Sequence, residues 1–298
     1  MHDTVTPSRP IVFGEVLFDH FPDGKRVLGG APFNVAWNLQ GLGVRPLFLS
    51  AVGEDSEGTA ILDAMDSWGL DDRGVQRLNG PPTGNVQVSF VDGQPEYEIP
   101  AGQAWDSMGK IDSSLWSDSA GLLYHGSLAL RSESTRESWR HLVRESGLAR
   151  FVDVNIRDPY FDESMLGELL NGAKWVKLND EELHRLSDVA VTDQSSVVAG
   201  IETLKSRYEV HNAVVTCGSQ GAYAIAESEI LFEPAPSPGV MQDTVGAGDA
   251  FASAIIAGLA SELPLPQILA GAVRLAARVC GLHGATSADR DIYQSVFE

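Results

Sequence analysis

The sequence predicts an α/β protein whose central, mostly parallel sheet is flanked by helices and carries a small β-sheet lid. Three observations support this fold class. Short apolar runs alternate with longer segments of helical periodicity, as in parallel sheets covered by helices on both faces. One stretch instead alternates polar and apolar residues, as a two-faced antiparallel hairpin does. The 298 residues are 43% hydrophobic and 21% charged, which is the composition of a globular protein with a large buried core.

The apolar runs predict buried strands, and the segments between them predict helices. The expected strands are Ile11–Leu17, Pro46–Val52, Leu122–Tyr124, Phe151–Val154, Trp175–Leu178 and Ala213–Cys217. The expected helices are Glu57–Trp68, Glu133–Ser146, Glu163–Leu170 and Ser195–Tyr208. In such folds, ligands bind at the carboxyl ends of the strands.

Two segments interrupt this order and predict the lid. Asn85–Val91 alternates strictly, turns at Asp92-Gly93-Gln94-Pro95 and then resumes its alternation. The second segment, Asp19–Gly30, is irregular and contains a turn signal. We therefore expect one domain over residues 1–298, with lid segments at about 18–30 and 83–103. A lid at the ligand-binding edge would exclude water from a reaction, whereas merely decorative hairpins would have no such role.

The charge and cysteine content exclude several classes of partner. The net charge of −20 disfavours nucleic acid and anionic membrane, because phosphate binding needs clustered Lys and Arg. Cys217 and Cys280 have no Cys-x-x-Cys spacing, so reduced thiols are expected. The first residues show no signal-peptide pattern, and the apolar run from Ala250 covers about half of a ~20-residue membrane span. The sequence therefore predicts a soluble cytoplasmic protein.

The segment Asp243-Thr-Val-Gly-Ala-Gly-Asp249 precedes an apolar helix and predicts an anion site. Glycines at a helix start let the backbone approach a ligand, and free N–H groups with the helix dipole favour an anion. Asp249 falls in the first turn, so its carboxylate can face the same place, as phosphoryl transfer to an alcohol requires. A glycine-rich helix cap explains the segment equally well. A dinucleotide fingerprint is excluded because Phe251 occupies the third glycine position, and the chain has no Walker-type loop.

Two further segments suit ligands, and each has a plain structural alternative. Gly30 precedes a helix start, and Asn34, about one turn in, can both donate to and accept from hydroxyl groups. A tight turn before an ordinary helix explains these residues equally well. Asn179 and Glu182 lie three residues apart after a strand, and their oxygens suit Mg²⁺ or its bound waters. Helix capping by Asn179 is the alternative.

Seven segments together resemble a known family. GGAPFNVAWNLQGLG and DTVGAGDAFASAIIAGL resemble the two signature segments of the ribokinase/PfkB carbohydrate kinases. VGEDSEG, PTGN, DVNIRDPYF, KLNDEEL and TCGSQGA also resemble family segments and follow in the family's order. The resemblance spans residues 11 to about 288. It implies a ribokinase-like fold, ATP-dependent phosphorylation of a small sugar, and a lid that in this family often forms a homodimer interface.

The resemblance also implies a role for each matching residue. Asp249 corresponds to the catalytic base, and the amides of Gly246, Ala247 and Gly248 correspond to the anion hole. Asn179 and Glu182 match the family's Asn-x-x-Glu, which organises Mg²⁺ through water. The expected sugar-binding residues are Asp19, Gly30, Asn34, Gln103 and Arg157. The expected nucleotide-binding residues are Thr216, Gly218, Gly221 and Thr244.

The segments GEVLFDHFPDG, LGGAPFNVA and DVNIRDPYF resemble the bacterial fructokinase branch. That branch places an arginine shortly after the Asp-x-Asn strand end, here Arg157, where a planar multi-donor group would reach the sugar pocket or the phosphate. A surface salt bridge is the alternative for Arg157. We therefore expect fructose as the acceptor, with 2-keto-3-deoxygluconate, ribose and, least of all, a nucleoside as alternatives. A non-catalytic sugar-binding protein on the same fold is the rival from another class.

Two departures from the family pattern leave details open. Many relatives carry an asparagine in the helix that flanks the adenine, where this chain has Ala272-Val273-Arg274. The nucleotide preference therefore stays open. Some relatives bind a monovalent cation near the equivalents of Asp243 and Gly284, but Ala288 stands where some of them have serine. Potassium is accordingly left open as a cofactor.

Overall fold

A computed structural model of the chain describes residues 9–91, 94–116, 121–227, 229–236 and 243–298. The strands found there are β1 Ile11–Phe13, β2 Leu17–His20, β3 Arg26–Gly29, β4 Leu47–Gly53, β5 Val75–Leu78, β6 Gly84–Val91, β7 Gln94–Glu98, β8 Leu122–His125, β9 Ala149–Asp153, β10 Trp175–Asn179, β11 Asn212–Thr216, β12 Gly221–Ala226 and β13 Glu229–Pro234. The α-helices found there are α1 Ala31–Gly41, α2 Ser56–Trp68, α3 Glu133–Ser146, α4 Leu166–Leu170, α5 Asp180–Ser187, α6 Gln194–Tyr208, α7 Ala247–Ala260 and α8 Leu265–Val279.

Within the described ranges, nine strands form one large sheet in the order β13-β12-β11-β10-β9-β8-β1-β4-β5. Its strands from β11 to β5 pair in parallel, whereas β12 and β13 add an antiparallel edge. The predicted fold class, a mostly parallel sheet flanked by helices with a small additional sheet, is confirmed. The antiparallel edge was not foreseen.

Helices cover both faces of the large sheet. Alternate residues of β4 enter two separate buried clusters, with Leu47 and Leu49 on one face and Phe48 and Val52 on the other. The first cluster joins the sheet to helices α3 to α6, and the second joins it to α1, α2, α7 and α8. The strands are apolar on both faces because both faces are buried in this way. None of the helices within the described ranges is long and apolar enough to cross a membrane.

The predicted strand Ile11–Leu17 is two strands that belong to different sheets. β1 ends at Phe13, and Leu17 already pairs in the small sheet. Gly14 lies where the chain leaves the large sheet, and its missing side chain leaves room for the ring of Pro32 from α1. The continuous apolar run hides this change, because all residues of the run except Glu15 are apolar and Glu15 is itself buried.

The small sheet has four strands in the order β3-β2-β6-β7. β2 pairs in parallel with β6, and the two outer pairs are antiparallel. Val86 and Val88 face the core, whereas Phe90 and Tyr97 are 56% and 50% exposed. This pattern agrees with the two-faced alternation of the sequence. Asp92 and Gly93 of the predicted turn lie outside the described residues.

The segment Glu163–Leu170 is less regular than its periodicity predicts. A 3-10 turn over Glu163–Met165 is capped by Asp162, whose carboxylate accepts a hydrogen bond from the amide of Ser164 at 2.9 Å. Only Leu166–Leu170 is α-helical. The three buried leucines of this stretch all lie in the α-helical part, and the 3-10 turn buries none of its residues, so the apolar spacing predicted only the second half correctly.

Candidate active site

The start of helix α7 forms a concave backbone surface at the carboxyl end of the large sheet. Gly246 has φ 80°, and a Cβ at this position would overlap Ala285, so glycine is required there. The N–H groups of a helix's first turn have no partner within the helix and favour an anion. Gly248 belongs to this turn, and a Cβ placed on it would lie 3.2 Å from Nζ of Lys177. Its missing side chain therefore makes room for an ammonium group, a reason that the sequence did not reveal.

Asp249 stands in the same helical turn and is held by Asn34 of α1. Nδ2 of Asn34 donates to Oδ2 of Asp249 at 2.8 Å. Burial raises the pKa of Asp249 to about 6, and Asp153 acts in the same direction. The amide of Asn34 and the charges of Lys177 and Arg157 oppose this rise. The carboxylate is therefore ionised at neutral pH and able to accept a proton.

A buried ion pair lies next to this helix start. Lys177 of β10 and Asp153 of β9 are register partners, and Nζ lies 2.8 and 2.9 Å from the two carboxylate oxygens. Burial alone would lower the pKa of Lys177, but Asp153 and Glu182 outweigh it, and the pKa is raised. The sequence segments DVNIRDPYF and KLNDEEL contain both residues, yet only the pairing of β9 with β10 brings them together.

A hydrogen bond, a close backbone approach or charge interactions connect the predicted sugar-binding residues other than Gln103 to the surroundings of Asp249, and we call the region between them the cleft. Gly30 has φ 104°, and a Cβ there would lie 2.7 Å from the carbonyl oxygen of Glu15. Oδ1 of Asn34 is buried and has no hydrogen-bond partner among the described residues. Burial raises the pKa of Asp19 to about 6, against the opposing charges of Arg157 and His20. Arg157 is exposed and acts on Asp19, Glu15 and Asp249 through space.

The side chain of Gln103 forms hydrogen bonds within the protein. It is 1% exposed, its oxygen accepts from the amide of Asn85 at 3.1 Å and from Trp105 at 2.7 Å, and its nitrogen donates to the carbonyl of Asn85 at 2.6 Å. The amide thus joins strand β6 to the segment that leaves the small sheet. These hydrogen bonds give Gln103 a structural role, and sugar binding by Gln103 stays a prediction.

Arg131 holds the same segment and was not predicted. Its guanidinium forms a buried ion pair with Asp106 at 2.7 Å and donates to the carbonyl of Ile99 at 3.0 Å. It also lies over the ring of Trp105, 4.3 Å from the ring centroid, and over Tyr160. The hydroxyl of Tyr160 accepts from the amide of Ile99 at 2.8 Å. The chain that enters and leaves the small sheet is therefore fixed to the large sheet.

Asn179 and Glu182 form a reciprocal cap at the start of α5. Oδ1 of Asn179 accepts from the amide of Glu182 at 2.7 Å, and Oε2 of Glu182 accepts from the amide of Asn179 at 2.9 Å. Oε1 of Glu182 accepts from the amide of Ile156 at 2.8 Å. The capping alternative is thus correct as far as the geometry goes. Each oxygen keeps a second lone pair, so the two residues suit Mg²⁺ held through water and not direct ligation.

The predicted nucleotide-binding residues lie at and just after the carboxyl end of β11, and shortly before the first residue of α7. Thr216 is the last residue of β11. Gly218 and Gly221 follow with φ 52° and 126°, and a Cβ on Gly221 would overlap the backbone of Glu233. Thr244 is exposed two residues before Gly246. These residues therefore occupy the same edge of the sheet as Asp249.

A surface cavity of about 500 Å³ lies elsewhere. Its lining includes Trp175 and Asn212, the first residues of β10 and β11, together with Leu263 and Leu265. It is at the amino ends of these strands and contains none of the predicted site residues, so the candidate site is the cleft at the carboxyl ends.

The chain is similar to known proteins over nearly its whole length. The pfkB family carbohydrate kinases match residues 8–291. Fructokinase from Klebsiella pneumoniae is 30% identical over 298 residues, which cover 93% of this chain and 92% of that protein. Fructokinase from Salmonella typhimurium is 28% identical over the same shares of the two chains.

Two solved structures have the same fold. A fructokinase with bound ATP from Xylella fastidiosa superposes with a TM-score of 0.83 at 22% identity, covering 97% of each chain. Arabidopsis thaliana ribokinase complexed with ribose and ATP gives a TM-score of 0.83 at 21% identity, covering 98% of this chain and 99% of that one. With a family match over nearly the whole chain, this protein belongs to the pfkB family of carbohydrate kinases.

Proposed function

We propose that this chain transfers the γ-phosphoryl group of ATP to a hydroxymethyl oxygen of fructose, giving fructose 6-phosphate and ADP. The observation that carries the proposal is the position of Asp249, in the first turn of α7 and 2.8 Å from Asn34. A base and an anion-binding backbone there face one cleft. Similarity to fructokinases at up to 30% identity supports fructose, and ATP in the related Xylella fastidiosa structure supports the donor.

In the proposed reaction, Asp249 accepts the proton of the acceptor hydroxyl. At the same time, the oxygen of that hydroxyl forms a bond to the γ-phosphorus. The bond between this phosphorus and the β–γ bridging oxygen breaks, and ADP leaves with the electron pair. A pKa of about 6 keeps the base ionised at neutral pH while leaving it basic enough to receive the proton. The amides of Gly246, Ala247 and Gly248 would stabilise charge on the transferring group.

Asn179 and Glu182 are the residues that would hold Mg²⁺, through water, as their engaged oxygens suggest. When bound, Mg²⁺ supplies positive charge that neutralises the phosphates of the nucleotide. Thr216, Gly218, Gly221 and Thr244 would contact that nucleotide. Asp243 and Gly284 stay candidates for a potassium site. A K⁺ ion bound there would also supply positive charge.

Asp19, Gly30, Asn34 and Arg157 would hold the sugar. The small sheet would act as the lid that excludes water from the transfer, which prevents hydrolysis of ATP. Its exposed Phe90 and Tyr97 offer an apolar face for a second copy of the chain. A homodimer through this face is part of the proposal, and sedimentation velocity with a Phe90→Ser/Tyr97→Ser variant tests it.

Release of ADP is the test of the function. The purified chain with ATP and Mg²⁺ is offered fructose, ribose, 2-keto-3-deoxygluconate and adenosine. We expect the highest kcat/KM with fructose. A higher value with another acceptor replaces fructose but keeps the kinase. Absence of ADP release with any acceptor in a broad sugar panel supports the non-catalytic alternative.

The Asp249→Asn variant tests the base. Its turnover is expected to fall about 10²–10⁴-fold with ATP binding retained. Glu133→Gln on the exposed surface of α3 is the matched control and should retain full turnover. Near-normal turnover of Asp249→Asn would remove Asp249 from the mechanism.

A further inference from the structure

Glu15 carries a buried carboxylate oxygen that nothing in the described parts of the chain satisfies. The residue is 3% exposed, and its Oε2 atom has no hydrogen-bond partner there. A buried polar atom without a partner is unfavourable, and more so when it is charged. A ligand that supplies the missing donor would remove this penalty when it binds.

Glu15 lies where the two sheets meet, between the end of β1 and the start of β2. Its backbone carbonyl packs against Gly30. The charged groups that act on its carboxyl are Asp249 of α7, Arg157 of the loop after β9 and Arg131 of the turn after β8. The side chain therefore borders the cleft that also contains Asn34 and Asp249.

Neither arginine donates to Glu15 in this structure. Arg131 already uses its guanidinium on Asp106 and on the carbonyls of Ile99 and Pro100. Arg157 is exposed, and its guanidinium makes no hydrogen bond with any residue that the structure describes. Among the described residues, only a movement of Arg157 would supply the donor that Oε2 of Glu15 lacks, and a ligand is the other source that we consider.

Further hydrogen-bond acceptors lie near Glu15. Oδ1 of Asn34 is a second buried acceptor without a partner in the described structure. The carboxylate of Asp19 is a third acceptor on the same side. Hydroxyl groups can donate to such acceptors, and a sugar presents several on neighbouring carbons.

We propose that Glu15 is a sugar-binding residue whose Oε2 atom accepts a hydrogen bond from a hydroxyl other than the one that reacts with Asp249. This inference rests on the proposed sugar kinase activity and adds a contact that sets acceptor affinity. Burial raises the pKa of Glu15 to about 7, and Asp249 adds to the rise. Its own amide, Arg157 and Arg131 oppose it. Because a hydroxyl donor favours the ionised form, sugar affinity should increase as the pH rises through about 7.

The Glu15→Gln variant tests the proposal, because it keeps the size of the side chain and removes the charge. We expect the KM for the sugar to rise about tenfold, with the KM for ATP unchanged and kcat within about threefold. The unfolding temperature of the free protein at pH 8 should stay equal or rise, since an unsatisfied buried charge is removed. The rise in unfolding temperature caused by saturating sugar should shrink. Glu133→Gln, which changes an exposed carboxylate of α3, should alter none of these quantities.

A purely structural role for Glu15 predicts the opposite pattern, with a lower unfolding temperature and an unchanged KM for the sugar. That result overturns the proposal. Glu15→Asp is the second variant, because it keeps the charge and withdraws it from the cleft. It should also raise the KM for the sugar, and an unaltered KM in Glu15→Asp likewise counts against the contact.

The double variant Glu15→Gln/Arg157→Gln separates the sugar from Arg157 as the partner of Glu15. Additive effects on the KM for the sugar support the sugar. Loss of the Glu15 effect in the Arg157→Gln background overturns the proposal in favour of Arg157. Sugar-dependent thermal stabilisation needs no ATP, so it is measured even if no acceptor is phosphorylated. An active wild-type enzyme with an unaffected Glu15→Gln variant defeats this inference alone.

Discussion

Nδ2 of Asn34 lies 2.8 Å from Oδ2 of Asp249, which joins the first turn of α1 to the first turn of α7 across 215 positions of the chain. One carboxylate oxygen is thereby fixed, and the other is left for a ligand. The oxygen of the same side-chain amide is buried and has no partner among the described residues, so one asparagine holds the carboxylate of Asp249 and keeps an acceptor beside it.

The pH dependence of catalysis should report the base. Because a protonated carboxyl cannot accept a proton, kcat should fall as the pH drops below about 6, the pKa of Asp249 in the free protein. In the wild type, kcat/KM for the sugar should also decrease as Glu15 becomes protonated near pH 7. In the Glu15→Gln variant, only the decrease below about pH 6 should remain. Initial rates between pH 5 and 8 measure both profiles. If kcat stayed constant below pH 6, Asp249 would be excluded as the titrating group.

Asn34→Ala should weaken catalysis through Asp249. The amide donates to the ionised carboxylate and lowers its pKa, so its loss should move the acidic limb of kcat to higher pH. Turnover at pH 7 should fall about tenfold, consistent with loss of a charge-assisted hydrogen bond. Asn79→Ala is the matched control, because Asn79 donates to Glu54 at 2.9 Å on the exposed surface. An unshifted acidic limb in Asn34→Ala would contradict the coupling.

Lys177 and Asp153 should be strongly coupled in stability. Lys177→Met leaves a buried carboxylate unpaired and should lower the free energy of unfolding by about 3–5 kcal/mol. Asp153→Leu should do the same, and the double variant should lose much less than the sum. Arg185→Gln breaks exposed ion pairs with Asp158 and Glu163 and should change the free energy by only about 0–1 kcal/mol. Urea denaturation measures all four variants, and additive losses would refute the buried pairing.

Two glycines with nearly the same φ separate the effect of crowding from that of backbone conformation. Gly246 has φ 80° and Gly24 has φ 82°, so alanine is conformationally unfavourable at both, by roughly 1–2 kcal/mol. A Cβ on Gly246 would also overlap Ala285, whereas none of the described residues lies within 4 Å of a Cβ on Gly24. Gly246→Ala should therefore lose about 1–3 kcal/mol more than Gly24→Ala, as an overpacked site does. Equal losses in thermal denaturation would show that Ala285 moves aside.

The stability of the free protein should decrease between pH 4 and 7. The pKa values of Asp249, Asp19 and Glu15 are raised to about 6, 6 and 7, so each group favours folding in its protonated form. Their contribution is complete below the ordinary pKa near 4 and is lost as the pH rises through the raised values. Unfolding temperatures measured without ligand should show this decline, and Glu15→Gln should flatten its upper part. Burial lowers the pKa of His125 to about 3, which opposes the decline over this range, so the comparison of Glu15→Gln with the wild type is decisive. An identical upper part in both proteins would contradict the burial of the Glu15 carboxyl.

The local parts of the site were predictable because short segments encode them. A glycine-rich turn before an apolar helix needs only neighbouring residues, so the cradle at Gly246–Gly248 and the position of Asp249 follow from spacing. The capping pair Asn179 and Glu182 is equally local. The structural contacts of Gln103 were not predictable for the converse reason, since its partners Asn85 and Trp105 are set by the packing of the small sheet.

By itself, the sequence determined the α/β fold class, the glycine-rich helix start and the carboxylate beside it, because periodicity and glycine spacing act over a few residues. Only the tertiary structure decided which distant groups share the cleft. The pairing of β9 with β10 places Asp153 on Lys177, and the packing of α1 against α7 places Asn34 on Asp249. The departure of the chain from β1 into the small sheet leaves Oε2 of Glu15 buried without a donor among the described residues. Burial and long-range contact set these charges, and neither can be read from residues that are neighbours only along the chain.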